Sequence, residues 1–346
     1  MKSIEQLCRK NIWNLAPYSS ARNEYADREA HVFLDANENP YDNGVNRYPS
    51  TALKEQLRRR VAAIKNIAAE RLFLGNGSDE AIDLCYRVFC EPGRDNAVII
   101  APSYGMYSVC ADINAVERRM VPLEPGSFAL PVARLLETAD EHSKLMFICS
   151  PNNPTGNAYS LEAIEFLAQN FGGILVVDEA YIDFSSKPGA QQLLGKYDNL
   201  IVLQTLSKAW GMAGLRIGLA MASPYIISLF RQVKYPYNIG TDTIAEALRL
   251  LQGDIRPQVA EIVAERDRLC AALPQYGSVL KVYPSDANFL LVKCTDPRGL
   301  YAALLKEGVI VRDRSTVPGC EGCLRITVGT PEENVKLEQA IRNYGR

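Results

Sequence analysis

A set of short, largely apolar runs constrains this chain more than any other feature. Residues 97–101, 145–149, 174–178, 200–204 and 217–221 are such runs, and several close on a polar residue or a turn former. Longer stretches able to form helices, such as 161–170, lie between most of them. A strand that is apolar along its whole length must be covered on both faces, and helical crossovers supply the cover. The alternation predicts an α/β fold, a mostly parallel sheet with helices on both faces.

Beyond residue 240 the pattern changes. Residues 241–251 and 261–273 read as long helices leading away from that sheet, and 279–282, 287–292 and 324–328 read as strands of a smaller one. The expected division is a large domain over 46–240 and a small domain built from 1–45 and 241–346. A chain of 346 residues, 47% hydrophobic and 23% charged, has enough material for both cores. There is no internal repeat or low-complexity linker.

Charge and composition narrow the function classes. A net charge of -2 gives no reason to expect nucleic acid or an acidic membrane as a partner. The first ten residues lack the apolar core of a signal peptide, and no apolar run approaches membrane-spanning length, so a cytoplasmic location is expected. Nine cysteines scattered through apolar stretches are expected to be reduced core residues. Cys320 and Cys323 have redox or zinc spacing, but no second pair or nearby histidine completes a metal site. His31 and His142 lie outside every motif, which argues against histidine-dependent chemistry.

The runs bear on chemistry through the polar residues at their ends. Ile174 to Val177 leads into Asp178-Glu179-Ala180-Tyr181, and 145–149 leads into Ser150-Pro151-Asn152-Asn153-Pro154-Thr155-Gly156. The run 200–204 is followed by Thr205-Leu206-Ser207-Lys208, with Leu215-Arg216-Ile217-Gly218 beyond it. All three would present polar side chains at the carboxyl end of a strand, the edge where open α/β sheets bind ligands. A lysine at such an edge, with small residues and an arginine after it, suits an amine that forms a Schiff base beside a bound phosphate. Upstream, Leu72-Phe73-Leu74 gives way to Gly75-Asn76-Gly77-Ser78-Asp79 and then to an amphipathic pattern. A helix beginning near Ser78 would aim free backbone NH groups at an anion.

In this order and spacing the motifs resemble the pyridoxal-phosphate aminotransferases of fold type I, over nearly the whole chain. The resemblance implies a fold type I architecture, pyridoxal 5'-phosphate as cofactor, and roles for named residues. Lys208 would anchor the cofactor and shuttle the substrate proton, and Asp178 would pair with the pyridine nitrogen. Asn153 and Tyr181 would donate to the ring hydroxyl oxygen. The backbone of Ser78 and Asp79, with Ser207 and Arg216, would hold the cofactor phosphate. Tyr104 would stack on the ring, the alternative for it and for Tyr181 being an ordinary packed tyrosine.

Arg325, in Leu324-Arg325-Ile326-Thr327-Val328-Gly329, matches the position where this fold type keeps an arginine for the substrate carboxylate, and Arg312 stands thirteen positions earlier. With three amino-terminal segments, Asn14 to Arg22, Leu34 to Pro40 and Asn46 to Pro49, the chain looks like the branch that exchanges an amino group between L-histidinol phosphate and glutamate/2-oxoglutarate in histidine biosynthesis. That resemblance implies that Tyr18, Arg312 and Arg325 hold the substrate anions. It also implies a homodimer, in which Tyr48 reaches the cofactor phosphate of the other subunit. Three readings stay open beside it: an aromatic amino-acid aminotransferase, a threonine-phosphate decarboxylase, and a cofactor-sensing regulator, for which the chain offers no basic DNA-binding segment.

Overall fold

The computed structural model describes residues 2–18 and 31–345. Seven strands, β1 (Leu72–Asn76), β2 (Asn96–Ala101), β3 (Glu117–Pro122), β4 (Ser143–Cys149), β5 (Ile174–Asp178), β6 (Leu200–Thr205) and β7 (Ile217–Met221), form one sheet in the order β1-β7-β6-β5-β4-β2-β3. Neighbours from β3 through β6 pair in parallel. Only β7 runs the other way, antiparallel to both β6 and β1. Every residue of β5, β6 and β7 is buried, including the polar Asp178, Gln204 and Thr205 at the strand ends.

Successive side chains of a strand point to opposite faces, and each face here has its own core. Val98, Ile100, Met146, Ile148, Leu175 and Val177 pack on one side with Leu57, Val61, Ile164 and Leu167. Ala97, Ile99, Leu145, Phe147, Ile174 and Val176 pack on the other with Ile82, Phe89, Tyr107 and Phe230. The helix Leu161–Asn170 has the expected bounds, and Ser160 Oγ caps it by accepting from the Ala163 amide. The strand β3 was not expected, because Glu-Arg-Arg-Met-Val-Pro contains no apolar run. It closes the sheet on one side, where charged side chains discourage further pairing.

The second sheet is antiparallel, in the order β10-β11-β9-β8, from β8 (Val279–Val282), β9 (Phe289–Cys294), β10 (Arg312–Asp313) and β11 (Cys323–Thr327). Helices Arg256–Ala272, Pro297–Lys306 and Pro331–Tyr344 supply the rest of its core, through Leu269, Leu300, Leu304, Leu337 and Ile341.

Packing divides the chain differently from the expected 46–240 against 1–45 and 241–346. Ile244, Ala247 and Leu251 join Leu57 and Val61 in the core of the large sheet. Ile4, Leu7 and Ile12 join its other face, beside Phe89 and Phe230. The small unit's own core begins with helix Arg256–Ala272. An apolar stripe shows that a helix is buried on one side, and does not show which of two sheets receives it. Among the described residues no helix is long and apolar enough to cross a membrane.

One close approach locks the large sheet to the turn that follows β1. At Gly218 a Cβ would lie 2.0 Å from the Ser78 amide nitrogen and 2.1 Å from the Gly77 carbonyl carbon. Both neighbours are backbone and cannot rotate away. Gly218→Ala should therefore lower stability by ~1–3 kcal/mol or more, the range for overpacking a rigid site. Urea unfolding checks this, and an unchanged midpoint would show that the turn can move aside.

Candidate active site

The parallel strands end side by side. Cys149 is in register with Asp178, and Asp178 with Leu203, so the segments after β4, β5 and β6 leave the sheet at one edge. They open into a cavity of about 380 Å³ roofed by β10 and β11 of the small sheet.

Asp178 lies at the floor, 2% exposed. Tyr107 Oη donates to its Oδ2 at 2.7 Å, and the Ala180 amide donates to its Oδ1 at 3.0 Å. Burial pushes the carboxyl up to about 6, because a charge removed from water is disfavoured; the two hydrogen bonds oppose the rise. Tyr107 is itself fully buried, stacked on Phe147 at 4.8 Å. The neighbouring Glu179 points elsewhere: it accepts from Gln204 Nε2 at 3.0 Å and from the Ala190 amide, tying down the loop after β5.

The anion cradle forms where β1 meets helix Gly77–Phe89. Residue 77 has φ +72°, a conformation that favours glycine, and its amide donates to the Arg216 carbonyl at 2.7 Å. Unlike helix Leu161–Asn170, this helix has no side-chain cap, so beyond the Gly77 amide its first-turn NH groups are left for another acceptor. Arg216 adopts the left-handed region at φ 56°, and its Nη2 lies 3.5 Å from Asp79 Oδ2. Asp79 Oδ1 accepts from Tyr104 Oη at 3.0 Å. Ser78, Ser207 and Arg216 all line the cavity.

Lys208 follows β6 in a tight turn, in which the Gly211 amide donates to the Lys208 carbonyl at 3.0 Å. Its Nζ lies 5.5 Å from the centre of the Tyr181 ring. The side chain is open to the cavity, while surrounding protein and the charges of Arg325 and Arg216 hold its pKa below the usual lysine value. Asn153 joins the two sheets: its Nδ2 donates to Tyr181 Oη at 3.5 Å, and its Oδ1 accepts from Arg325 Nη1 at 2.5 Å. The Arg325 guanidinium sits over Phe289, 5.4 Å from the ring centre.

Lys208, Asp178, Tyr181, Asn153, Tyr104, Ser78, Asp79, Ser207, Arg216, Arg312 and Arg325 thus meet around one cavity. Two expected residues do not. Tyr18 is 73% exposed and lines a separate hollow with Lys54 and Arg231. Its segment follows helix Lys10–Trp13 along the outside of helix Pro224–Val233, where Gln232 Nε2 donates to the Leu15 carbonyl. The chain's own cavity therefore does not receive it; the part of that motif beyond residue 18, Ser19 to Arg22, lies outside the described residues. Tyr48 also stays out of the chain's own cavity, 47% exposed and stacked on Tyr237 at 4.0 Å.

Two residues of the site were not singled out from the sequence. Tyr107 comes three residues after Tyr104, at the start of helix Met106–Ile113, and the two rings meet edge to face at 5.6 Å. Arg314, two positions after Arg312, lines the cavity as well. Its strand alternation was the available signal.

The comparisons agree with this geometry. The family model described as aminotransferase class I and II matches residues 21–341. The chain is 52% identical to the histidinol-phosphate aminotransferase of Parabacteroides distasonis, over 99% of each chain. Among solved structures, the histidinol-phosphate aminotransferase of Clostridium acetobutylicum superposes with a TM-score of 0.79 at 22% identity, covering 87% of this chain and 91% of that one. The enzyme of the same name from Sinorhizobium meliloti, in complex with pyridoxal-5'-phosphate, gives 0.78 at 23% identity, covering 87% and 83%. These two carry the fold, and the sequence matches carry the family. With the lysine, the buried aspartate and the uncapped helix end at one strand edge, the chain belongs to the aminotransferase class I and II family.

Proposed function

We propose that the protein is a pyridoxal-phosphate-dependent aminotransferase that moves the amino group of L-histidinol phosphate to 2-oxoglutarate, giving imidazole-acetol phosphate and L-glutamate in histidine biosynthesis. The observation that carries this is the near-complete match, 52% over 99% of each chain, to a relative of that name, joined to a cavity rich in cations. Three features fit the cofactor. The helix end beside Arg216 has no cap of its own, the Asp178 carboxyl is buried with no cation bonded to it, and Lys208 has no carboxylate partner within ion-pair distance among the described residues.

When bound, the cofactor supplies an electron sink for the charge left when the substrate's α-carbon loses its proton. The residues do the rest. Lys208 Nζ anchors the cofactor and then, as a free amine, takes the proton from that carbon; its lowered pKa favours the unprotonated form a base requires. Asp178, oriented by Tyr107 Oη and the Ala180 amide, would hold the cofactor by its ring nitrogen and keep a proton on it. Asn153 and Tyr181 would hold the ring hydroxyl oxygen, and Tyr104 would support the ring. The first turn of helix Gly77–Phe89 at Ser78 and Asp79, with Ser207 and Arg216, holds the phosphate.

Arg312 and Arg325 bind the anionic groups of the two substrates, which occupy the same site in turn. The protein acts as a homodimer in the cytoplasm, with Tyr48 serving the cofactor phosphate of a second copy. Its exposure outside its own cavity supports that reading.

The test is a single-turnover titration of the cofactor-loaded protein with L-histidinol phosphate, L-phenylalanine and L-threonine phosphate in parallel. Rapid conversion of the cofactor by histidinol phosphate, reversed by 2-oxoglutarate, is expected. Faster reaction of phenylalanine, or release of CO₂ from threonine phosphate, would replace the assignment.

Two variants test the residue roles. Lys208→Ala should still bind the cofactor, now removable by dialysis, with turnover reduced ~10²–10⁴-fold or more, as for loss of a proton-transfer group. Substantial residual turnover would remove Lys208 from the chemistry.

Asp178→Asn should abolish turnover yet stabilise the cofactor-free protein, since an amide avoids the cost of burying a charge. The folded carboxyl titrates at about 6 against an ordinary value of 3.8, so its penalty is absent well below the lower value, grows as pH rises between them and is complete above the upper. The gain should reach ~3 kcal/mol at high pH, about 1.4 kcal/mol for each pH unit between the two values. Urea unfolding at pH 5 and pH 8 reads it: the gap between the proteins should widen with pH, and a flat gap would count against a buried charge.

A further inference from the structure

We propose that Arg314 is the specificity residue that favours a phosphate over a carboxylate at the substrate end of the cavity. This deepens the function proposed above and rests on it for the identity of the phosphate-bearing substrate.

The strand geometry sets the position. Arg312 is in register with Arg325 across β10 and β11. The pairing runs one step further, the Arg314 amide donating to the Cys323 carbonyl at 2.9 Å. Side chains alternate along a strand, so Arg314 stands on the face that carries Arg312 and Arg325, and all three line the cavity.

None of the three forms an ion pair with a carboxylate among the described residues. Their surroundings differ. Arg325 is engaged with Asn153 Oδ1 and seated on Phe289. Arg314 is half-buried, and its Nε is enclosed without a hydrogen-bond partner. Burial, then the like charges of Arg325 and Arg312, hold its pKa below the usual arginine value. A guanidinium kept in this state is unfavourable until an anion arrives to relieve the repulsion.

The two substrates place different demands on this group. A carboxylate carries one negative charge, and in glutamate its carbon is bonded directly to the reacting carbon. A phosphate monoester carries about -1.5 to -2 at neutral pH. In histidinol phosphate it hangs from a further methylene and ester oxygen, so its oxygens reach further from the reacting carbon. Of the three, Arg325 is the one hydrogen-bonded to Asn153, which in turn bonds Tyr181 beside the Lys208 amine, so it is tied to the reacting end of the cavity. A carboxylate next to the reacting carbon is served by Arg325. The larger charge and longer reach of the phosphate call for a guanidinium beyond it, and a planar fork binds two phosphate oxygens at once.

The experiment uses cofactor-loaded protein and two ligands that cannot react, because neither has an amino group: glycerol 3-phosphate and glutarate. Their dissociation constants are measured by calorimetry for the unmodified protein, Arg314→Gln and Arg314→Lys. Arg314→Gln should weaken glycerol 3-phosphate ~10- to 100-fold, the effect of losing a hydrogen-bonded charge contact. Glutarate binding should change little, which also shows that the variant is folded, and Arg314→Lys should recover part of the loss. Equal weakening of both ligands would make Arg314 a structural support of the site, and unchanged phosphate binding would remove it from the site altogether; either result overturns the proposal.

Turnover measured in parallel separates this from the assigned reaction. In the expected case kcat/KM for histidinol phosphate falls in Arg314→Gln and that for glutamate does not. Should phosphate binding depend on Arg314 while the unmodified protein leaves histidinol phosphate unchanged, the specificity role stands and the reaction assignment falls.

Discussion

A carboxylate with no bonded cation, buried at the end of a strand, is the feature on which the rest of the site depends. Asp178 leaves β5 at the point where β4, β5 and β6 run out together, and it is held by a tyrosine hydroxyl and one backbone amide. Neither donor neutralises it. Its burial is unfavourable in the protein alone and becomes favourable when a positive partner sits against it. The cores on the two faces of the sheet hold that arrangement in place, since Tyr107 is stacked on Phe147 and cannot swing away.

The rest of the lining is mainly of the opposite charge. Lys208, Arg216, Arg312, Arg314 and Arg325 all reach the cavity, with Asp79 and Asp178 the acidic residues among its lining. A concave site with an excess of positive charge attracts anions and holds them more strongly than the same charges would in open water. The arginines at 312, 314 and 325 come from the small sheet, and the cradle and Lys208 come from the large one. Asn153 spans the two through its bonds to Tyr181 and Arg325. The arginine side of the cavity is thereby joined to the residues around Lys208.

Much of this was legible in the sequence because a parallel strand reports its own end. Asp178, Lys208 and Asn153 each follow an apolar run, and such runs terminate at the edge where ligands bind. The turn at Gly77 was legible for a related reason: glycine marks a conformation that other residues avoid. What did not show was any contact between segments without a common pattern. The polar strand β3 has no apolar run to reveal it. Tyr18 shares a motif with its neighbours, and that says nothing about which side of helix Pro224–Val233 the chain follows. Arg314 looked like any arginine beside another, because a solvated guanidinium and an enclosed one have the same letter.

The sequence by itself determined the layered α/β plan, the strand edge that carries the chemistry, and the residue types that meet there. These follow from periodicity, from strand termini and from the limits that glycine and proline place on the backbone, all local properties. Tertiary structure alone decided that helix Thr241–Leu250 belongs with the large sheet, that Tyr107 holds Asp178, and that Arg314 lines the cavity near two other arginines with its Nε unpartnered. The reason is physical: burial, hydrogen bonding and charge repulsion depend on distances between residues far apart in the chain, and those distances exist only once both sheets have packed.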